Sequence, residues 1–174
     1  KGYLTEIVYG YDLSSQLAKK DKVKPTTVVY MNFRKFIFPK AEKLNTHYFV
    51  AEDDCKVYDR YSKYIDEYVK HDIVRVGYHK IHKINGEISY ISGGQLTFFN
   101  RKTNSKMKEL LKKTKPQHYD RFLTNLQLNS TLDVLLPKKS RAGFKSHFSR
   151  IIADKRKSYS ASISSSSSNV SKKS

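Results

Sequence analysis

The chain has a single cysteine, Cys55, so no internal disulfide can staple it. A lone thiol fits a reducing compartment, and the sequence-based expectation for location is intracellular: host cytoplasm, or a virion if the source is viral. No apolar run approaches the roughly 18–20 residues of a membrane span, and no secretory leader is visible. The sequence opens at Lys1 without an initiator Met, which is expected of a processed or shortened start. Acids are also scarce: 16 Asp and Glu face 34 Lys and Arg, for a formal net charge of +18. An excess of that size favours acidic partners, whether nucleic acid, an anionic membrane surface or an acidic protein. Neither a Walker nor a Rossmann glycine spacing occurs, and no Ser-His-Asp elbow is present.

Apolar residues make up 38% of the chain, on the low side for a globular protein. Most of the deficit lies toward the C-terminus. Residues 138–174 hold ten Lys or Arg against one acid, Asp154, and end in a serine run that cannot bury enough apolar surface to fold. The expected organisation is therefore a folded domain over 1–137 and a basic, Ser-rich tail over 138–174, the latter seeking an acidic partner such as nucleic acid or a protein surface.

Within the domain, strand and helix patterns alternate. Strands are expected at 4–9, 47–51, 72–76 and 95–99. Helices are expected at 13–20, from Pro25 into the forties with an interruption at Pro39, and at 60–70, 105–113 and 117–126. Asn85-Gly86 between two apolar-alternating runs is a hairpin signature. Alternation of this kind predicts an α/β fold with a mixed, mostly parallel sheet flanked by helices.

Three constellations carry chemistry. Glu52-Asp53-Asp54 closes an apolar strand, where three adjacent carboxylates repel one another unless something positive is bound. A hard divalent cation with oxygen ligands suits them, and in open α/β sheets ligands bind beyond the strand C-termini. The bland alternative is a solvated acidic turn ahead of the next helix. His118 and Asp120 stand at a helix start, where Asp120 can serve as a general base toward a hydroxyl and His118 as a metal ligand or donor. The alternative is an acid helping the helix dipole. Gly93-Gly94-Gln95 precedes a strand and either lets backbone approach a ligand or makes a turn. His79 and His82 have no cysteine pair to complete a zinc site and read as surface residues.

The order of these pieces resembles GT-A-fold glycosyltransferases, in particular the family-25 type found in bacterial saccharide synthesis, procollagen glycosylation and large DNA viruses. The resemblance runs from about Thr26 to Leu128 through Phe49-Val50-Ala51-Glu52-Asp53-Asp54, Gly93-Gly94-Gln95-Leu96-Thr97-Phe98-Phe99 and His118-Tyr119-Asp120-Arg121. It implies that Glu52, Asp53 and Asp54 bind Mn²⁺ or Mg²⁺ with the diphosphate of a nucleotide sugar. It further implies that Gly93, Gly94 and Gln95 line the sugar or acceptor pocket, and that Asp120 acts as base or orients a glycan or protein hydroxyl acceptor. Two other readings stand beside it. One is a non-enzymatic structural or assembly protein of a large DNA virus particle. The other is nucleic-acid binding through charge and the 13 Tyr and nine Phe.

Overall fold

The computed structural model describes residues 7–52, 55–57 and 63–144. A layer of helices precedes the first strand. Helix α1 (Gln16–Lys20) starts where the Ser15 side chain accepts from the Ala18 amide, a standard N-cap. Helix α2 (Val28–Asn32) runs through a π-helical segment, Phe33–Ile37, into α3 (Phe38–Leu44). The expected interruption at Pro39 takes this form. Proline has no N–H to offer the carbonyl four residues back. The ladder instead widens one turn earlier, where the Phe38 amide donates to Phe33 O. Asn45, in the left-handed region at φ 46°, ends α3.

Strands β1 (Tyr48–Ala51), β2 (Cys55–Val57) and β3 (Ile73–Gly77) follow, with helix α4 (Ile65–Tyr68) between β2 and β3. The hairpin β4 (Lys80–Ile84) and β5 (Glu87–Ser92) forms at the Asn-Gly signature. Asn85 (φ 52°) and Gly86 (φ 84°) both take positive φ, as a type I′ turn requires. Then come β6 (Leu96–Phe99), α5 (Asn104–Lys113), α6 (Tyr119–Asn129), β7 (Val134–Leu135) and β8 (Ala142–Phe144).

The main sheet has the order β1-β6-β3-β7. The expectation of a mostly parallel sheet is corrected in its pairing: β6 is antiparallel to both β1 and β3, and only β3–β7 is a parallel pair. The physical reason is the route of the chain. Strands β1 and β3 are joined through α4, a crossover that leaves them pointing the same way, as does β7. Strand β6 instead returns from the β4–β5 hairpin without a helix, so it must run backward, and it wedges between β1 and β3. The fold is thus mixed α/β. The strand expected at 4–9 is not seen in Ile7-Val8-Tyr9, which have no regular structure, while residues 1–6 lie outside the described residues.

Each face of the sheet is covered. On one, Phe33, Phe99, Met107, Phe122 and Leu123 pack between the strands and α2, α3, α5 and α6. On the other, Tyr68, Val74, Val76, Leu96, Phe98 and Ala142 pack beneath α4 and the β2–β8 pair. The last contact bears on the tail, expected to begin at Lys138. Residues 140–144 are packed on the body: Tyr78 N donates to Ser140 Oγ at 3.0 Å, Arg141 N donates to Val76 O at 2.8 Å, Ala142 is buried, and β8 pairs with β2. Arg141 also stacks its guanidinium 3.5 Å from the Tyr64 ring centroid and donates to the Tyr68 hydroxyl at 2.8 Å. The rest of the expected tail, from residue 145, lies outside the described residues.

Candidate functional site

Side chains two apart on a strand share a face. Tyr48 pairs with Phe99 and Val50 with Thr97. Tyr48, Val50 and then Glu52 therefore line the face under α6, together with Thr97 and Phe99 from β6 and Gln95 just before it. That face is apolar at one end and polar at the other. The polar end lies where β1 and β3 finish and β6 begins.

A β-bulge sits at that end. Val74 pairs with Phe98 and Gly77 with Leu96, so Arg75 and Val76 together oppose the single Thr97. Arg75, two residues on from Ile73, keeps the α6-side face that Ile73 packs on, and the bulge breaks the alternation after it. Val76 enters the other core, while Arg75 is fully buried on the α6 side. Its guanidinium donates to Thr124 Oγ1 at 3.1 Å, to Ile91 O at 3.0 Å and to Gly93 O at 3.0 Å. Burial pulls its pKa down to about 10, with Asp120 the strongest group acting in the opposite direction. Nothing in the composition of the expected strand 72–76 marked this residue as functional. A signal was present, however: a cation inside Ile73-Val74-Arg75-Val76 must either be exposed by a bulge or be satisfied internally.

Asp120, in the first turn of α6, completes a clamp. Its Oδ2 accepts from Gly93 N at 2.7 Å and from the Tyr90 hydroxyl at 3.4 Å. Arg75 holds the Gly93 carbonyl and Asp120 its amide, so the joint between β5 and β6 is fixed from both sides. Gly93 takes φ +84°, which disfavours any side chain there, and a Cβ would meet the Gln95 amide at 2.4 Å. A Cβ on Gly94 would come within 3.0 Å of the Tyr119 ring. Gly94 therefore permits α6 to lie close on the joint, while Gly93 is required by its positive φ and by Gln95 and the His79 amide.

Of the acidic triplet, Glu52 is half-buried, and its amide donates to Gln95 O at 3.1 Å. This bond carries the β1–β6 ladder one step past the strand and sets Glu52 against the glycine joint. Asp53 and Asp54 lie outside the described residues. Strand β1 is an edge of the described sheet rather than a central strand. Gln95 is 1% exposed, and neither end of its amide has a partner among the described residues; the same holds for Tyr48 Oη and Arg75 Nε. His118, the N-cap residue of α6, is exposed, and its side chain makes no capping bond. Among the described residues no three His, Cys, Asp or Glu side chains gather as a metal-ligand group, and no helix is long and apolar enough to cross a membrane.

The tyrosines around this polar end have raised pKa values. Burial lifts Tyr48 and Tyr119 well above the ordinary 10.0, and for Tyr119 the nearby Tyr48 and Glu52 add to the effect while Arg75 and Thr97 oppose it. In the unfolded chain these phenols ionise near their ordinary value, while in the fold they keep their protons. Their contribution to stability is therefore complete below pH 10 and is lost as pH rises beyond it. Alkaline unfolding is expected to begin just above pH 10. Tyr48→Phe combined with Tyr119→Phe should move its onset upward in a pH titration followed by circular dichroism.

No family model matches the chain, and a search of curated proteins gives no match.

Proposed function

We propose that this chain is a GT-A-type glycosyltransferase domain that moves a sugar from a nucleotide-sugar donor to a hydroxyl acceptor. The observation that carries the reading is convergence. Three motifs distant in sequence meet at one sheet edge: Glu52 bonds to Gln95, Gln95 follows Gly93-Gly94, and Gly93 is held by Asp120. That edge lies at the C-terminal ends of β1 and β3, where open α/β sheets take their ligands. The buried Gln95 amide, without partners among the described residues, adds polar capacity beside it. Carboxylate oxygens suit a hard divalent cation, so Glu52, Asp53 and Asp54 would hold Mn²⁺ or Mg²⁺, with His118 on the adjoining helix start. Bound there, the cation supplies Lewis-acid stabilisation of the diphosphate leaving group. The chain's own residues orient the acceptor, and Asp120 would take its proton if the reaction inverts configuration.

One observation favours a non-catalytic scaffold, such as a structural part of a virus particle. Asp120 already has a structural task at Gly93, and the glycines have local reasons of their own, Gly93 its positive φ and Gly94 the close approach of α6. The two readings separate in thermal unfolding with and without Mn²⁺ and a nucleoside diphosphate. A working site is stabilised by mass action, about 2.7 kcal/mol at a hundredfold excess over the dissociation constant. Asp54→Asn should abolish that gain without making the metal-free protein less stable, since it relieves like-charge repulsion at constant shape. Identical curves for both proteins in every condition establish the scaffold.

A further inference from the structure

The N-terminal cap presents a pattern that the transferase reading does not use. Residues 7–24 wrap against α2 and the π-helical segment, with two anchors facing inward. Tyr11 N donates to Asn32 Oδ1 at 2.8 Å and its ring packs edge-on to Phe36 at 5.1 Å. Ala18 is 1% exposed, and its carbonyl accepts from Val23 N at 2.9 Å. With those anchors fixed, four apolar side chains are turned to solvent: Ile7 (73% exposed), Tyr9 (85%), Leu13 (41%) and Leu17 (45%). Beside them Lys19, Lys20, Lys22 and Lys24 are all exposed.

The two acids of the segment are engaged within the fold. Asp12 accepts from the Ser14 amide and hydroxyl at 2.9 and 2.7 Å, and Asp21 is taken by Lys35 and Tyr11. Local carboxylates therefore leave most of the lysine charge uncancelled. Exposed leucines, an exposed tyrosine and flexible lysines on one short segment match the chemistry of a bilayer interface. There the apolar chains enter the headgroup boundary and the ammonium groups meet anionic lipid.

We propose that residues 7–24 form a peripheral docking patch for an anionic lipid surface. A second copy of the chain is disfavoured because four lysines would face four lysines. Nucleic acid is disfavoured because sequence-tolerant binding uses several exposed aromatics or arginines. Here Tyr30 and Phe33 are buried, Tyr9 alone of the cap's two tyrosines is open, and the segment holds no arginine.

The test uses the full chain, with vesicles of phosphatidylcholine alone or mixed with phosphatidylserine, followed by co-sedimentation. Binding is expected only with the anionic lipid. Each lysine near such a surface is worth roughly fivefold in affinity. Replacing Lys19, Lys22 and Lys24 by glutamine should thus weaken binding about a hundredfold. Leu13→Ser with Leu17→Ser should weaken vesicle binding about tenfold while leaving affinity for a DNA duplex unchanged. Tyr9→Ser, at the most exposed of the four sites, gives a second apolar probe that cannot disturb the core. If the serine variants bind vesicles as tightly as wild type, or if the lysine variant loses DNA and vesicles equally while the serine variants lose neither, the patch is a general polyanion site and the proposal fails.

Discussion

Arg75→Ala is expected to destabilise the fold by about 3–5 kcal/mol, read as a shift in the urea unfolding midpoint at unchanged slope. Among the described residues Arg75 heads the fully buried side chains in size, and three of its hydrogen bonds cross between elements. Its removal strips Gly93 O of this donor, leaves Ile91 O with only Thr124 Oγ1 of its two side-chain donors, and leaves a void beneath α6. A buried acceptor stripped of its partner costs its whole desolvation penalty, roughly 1–3 kcal/mol. Burying the cation is itself unfavourable, as its lowered pKa records, so part of the loss is returned when the charge is removed. The unmade hydrogen bonds and the cavity outweigh that return because alanine supplies neither donor nor volume. Arg75→Lys should fall between the two. An ammonium on a flexible stem keeps the charge but cannot span Thr124 and two carbonyls as a planar fork does. The Gly93 amide should also exchange with solvent faster in Arg75→Ala than in wild type, because the clamp on that peptide has lost one jaw.

The elements with strong local signals were legible from the sequence. Asn85-Gly86 fixed its hairpin because the turn is decided by two residues alone. Helices α5 and α6 and strands β1, β3 and β6 also followed from apolar period, within a few residues of their ends. What could not be read was determined by contacts distant in sequence. The direction of β6 depends on the chain returning from a hairpin rather than through a helix, which periodicity does not encode. The widening at Phe33–Ile37 is a response to Pro39 under the packing of Phe33 against Phe99 at 5.2 Å, whereas the proline alone announced only a break. At the site, Gly93 and Gly94 were readable as special backbone positions. That Gly94 answers to α6, through Tyr119 and Leu123, and Gly93 to Gln95 and the His79 amide became visible only once those neighbours were placed. Arg75 was hidden for the opposite reason. Its strand was so apolar that the charge was absorbed into the pattern, although an internal cation in such a run always needs a partner.

Asp120→Asn separates a proton acceptor from a positioning carboxylate. Among the described residues Oδ2 of Asp120 takes the Gly93 amide and Tyr90, so on the proposed function Oδ1 is the oxygen that would meet an acceptor hydroxyl. An asparagine can still accept the Gly93 N–H through its own carbonyl oxygen, so the joint should hold. The loss of negative charge facing the buried Arg75 should cost about 1–2 kcal/mol of stability, visible in the same urea experiment. If sugar transfer inverts configuration and Asp120 removes the acceptor proton, turnover should fall about 10²–10⁴-fold at saturating substrate, far more than a small loss of folded protein can explain. If transfer retains configuration, the variant should stay within about tenfold of wild type, with Asp54→Asn still inactive, and Asp120 is then a positioning residue that acts through Gly93. Asp120→Ala completes the comparison. It removes the acceptor for Gly93 N–H as well as the charge, so it should unfold more readily than Asp120→Asn in either case. Equal stability of the two variants, measured side by side, would show that the 2.7 Å bond to Gly93 does not hold α6 to the joint.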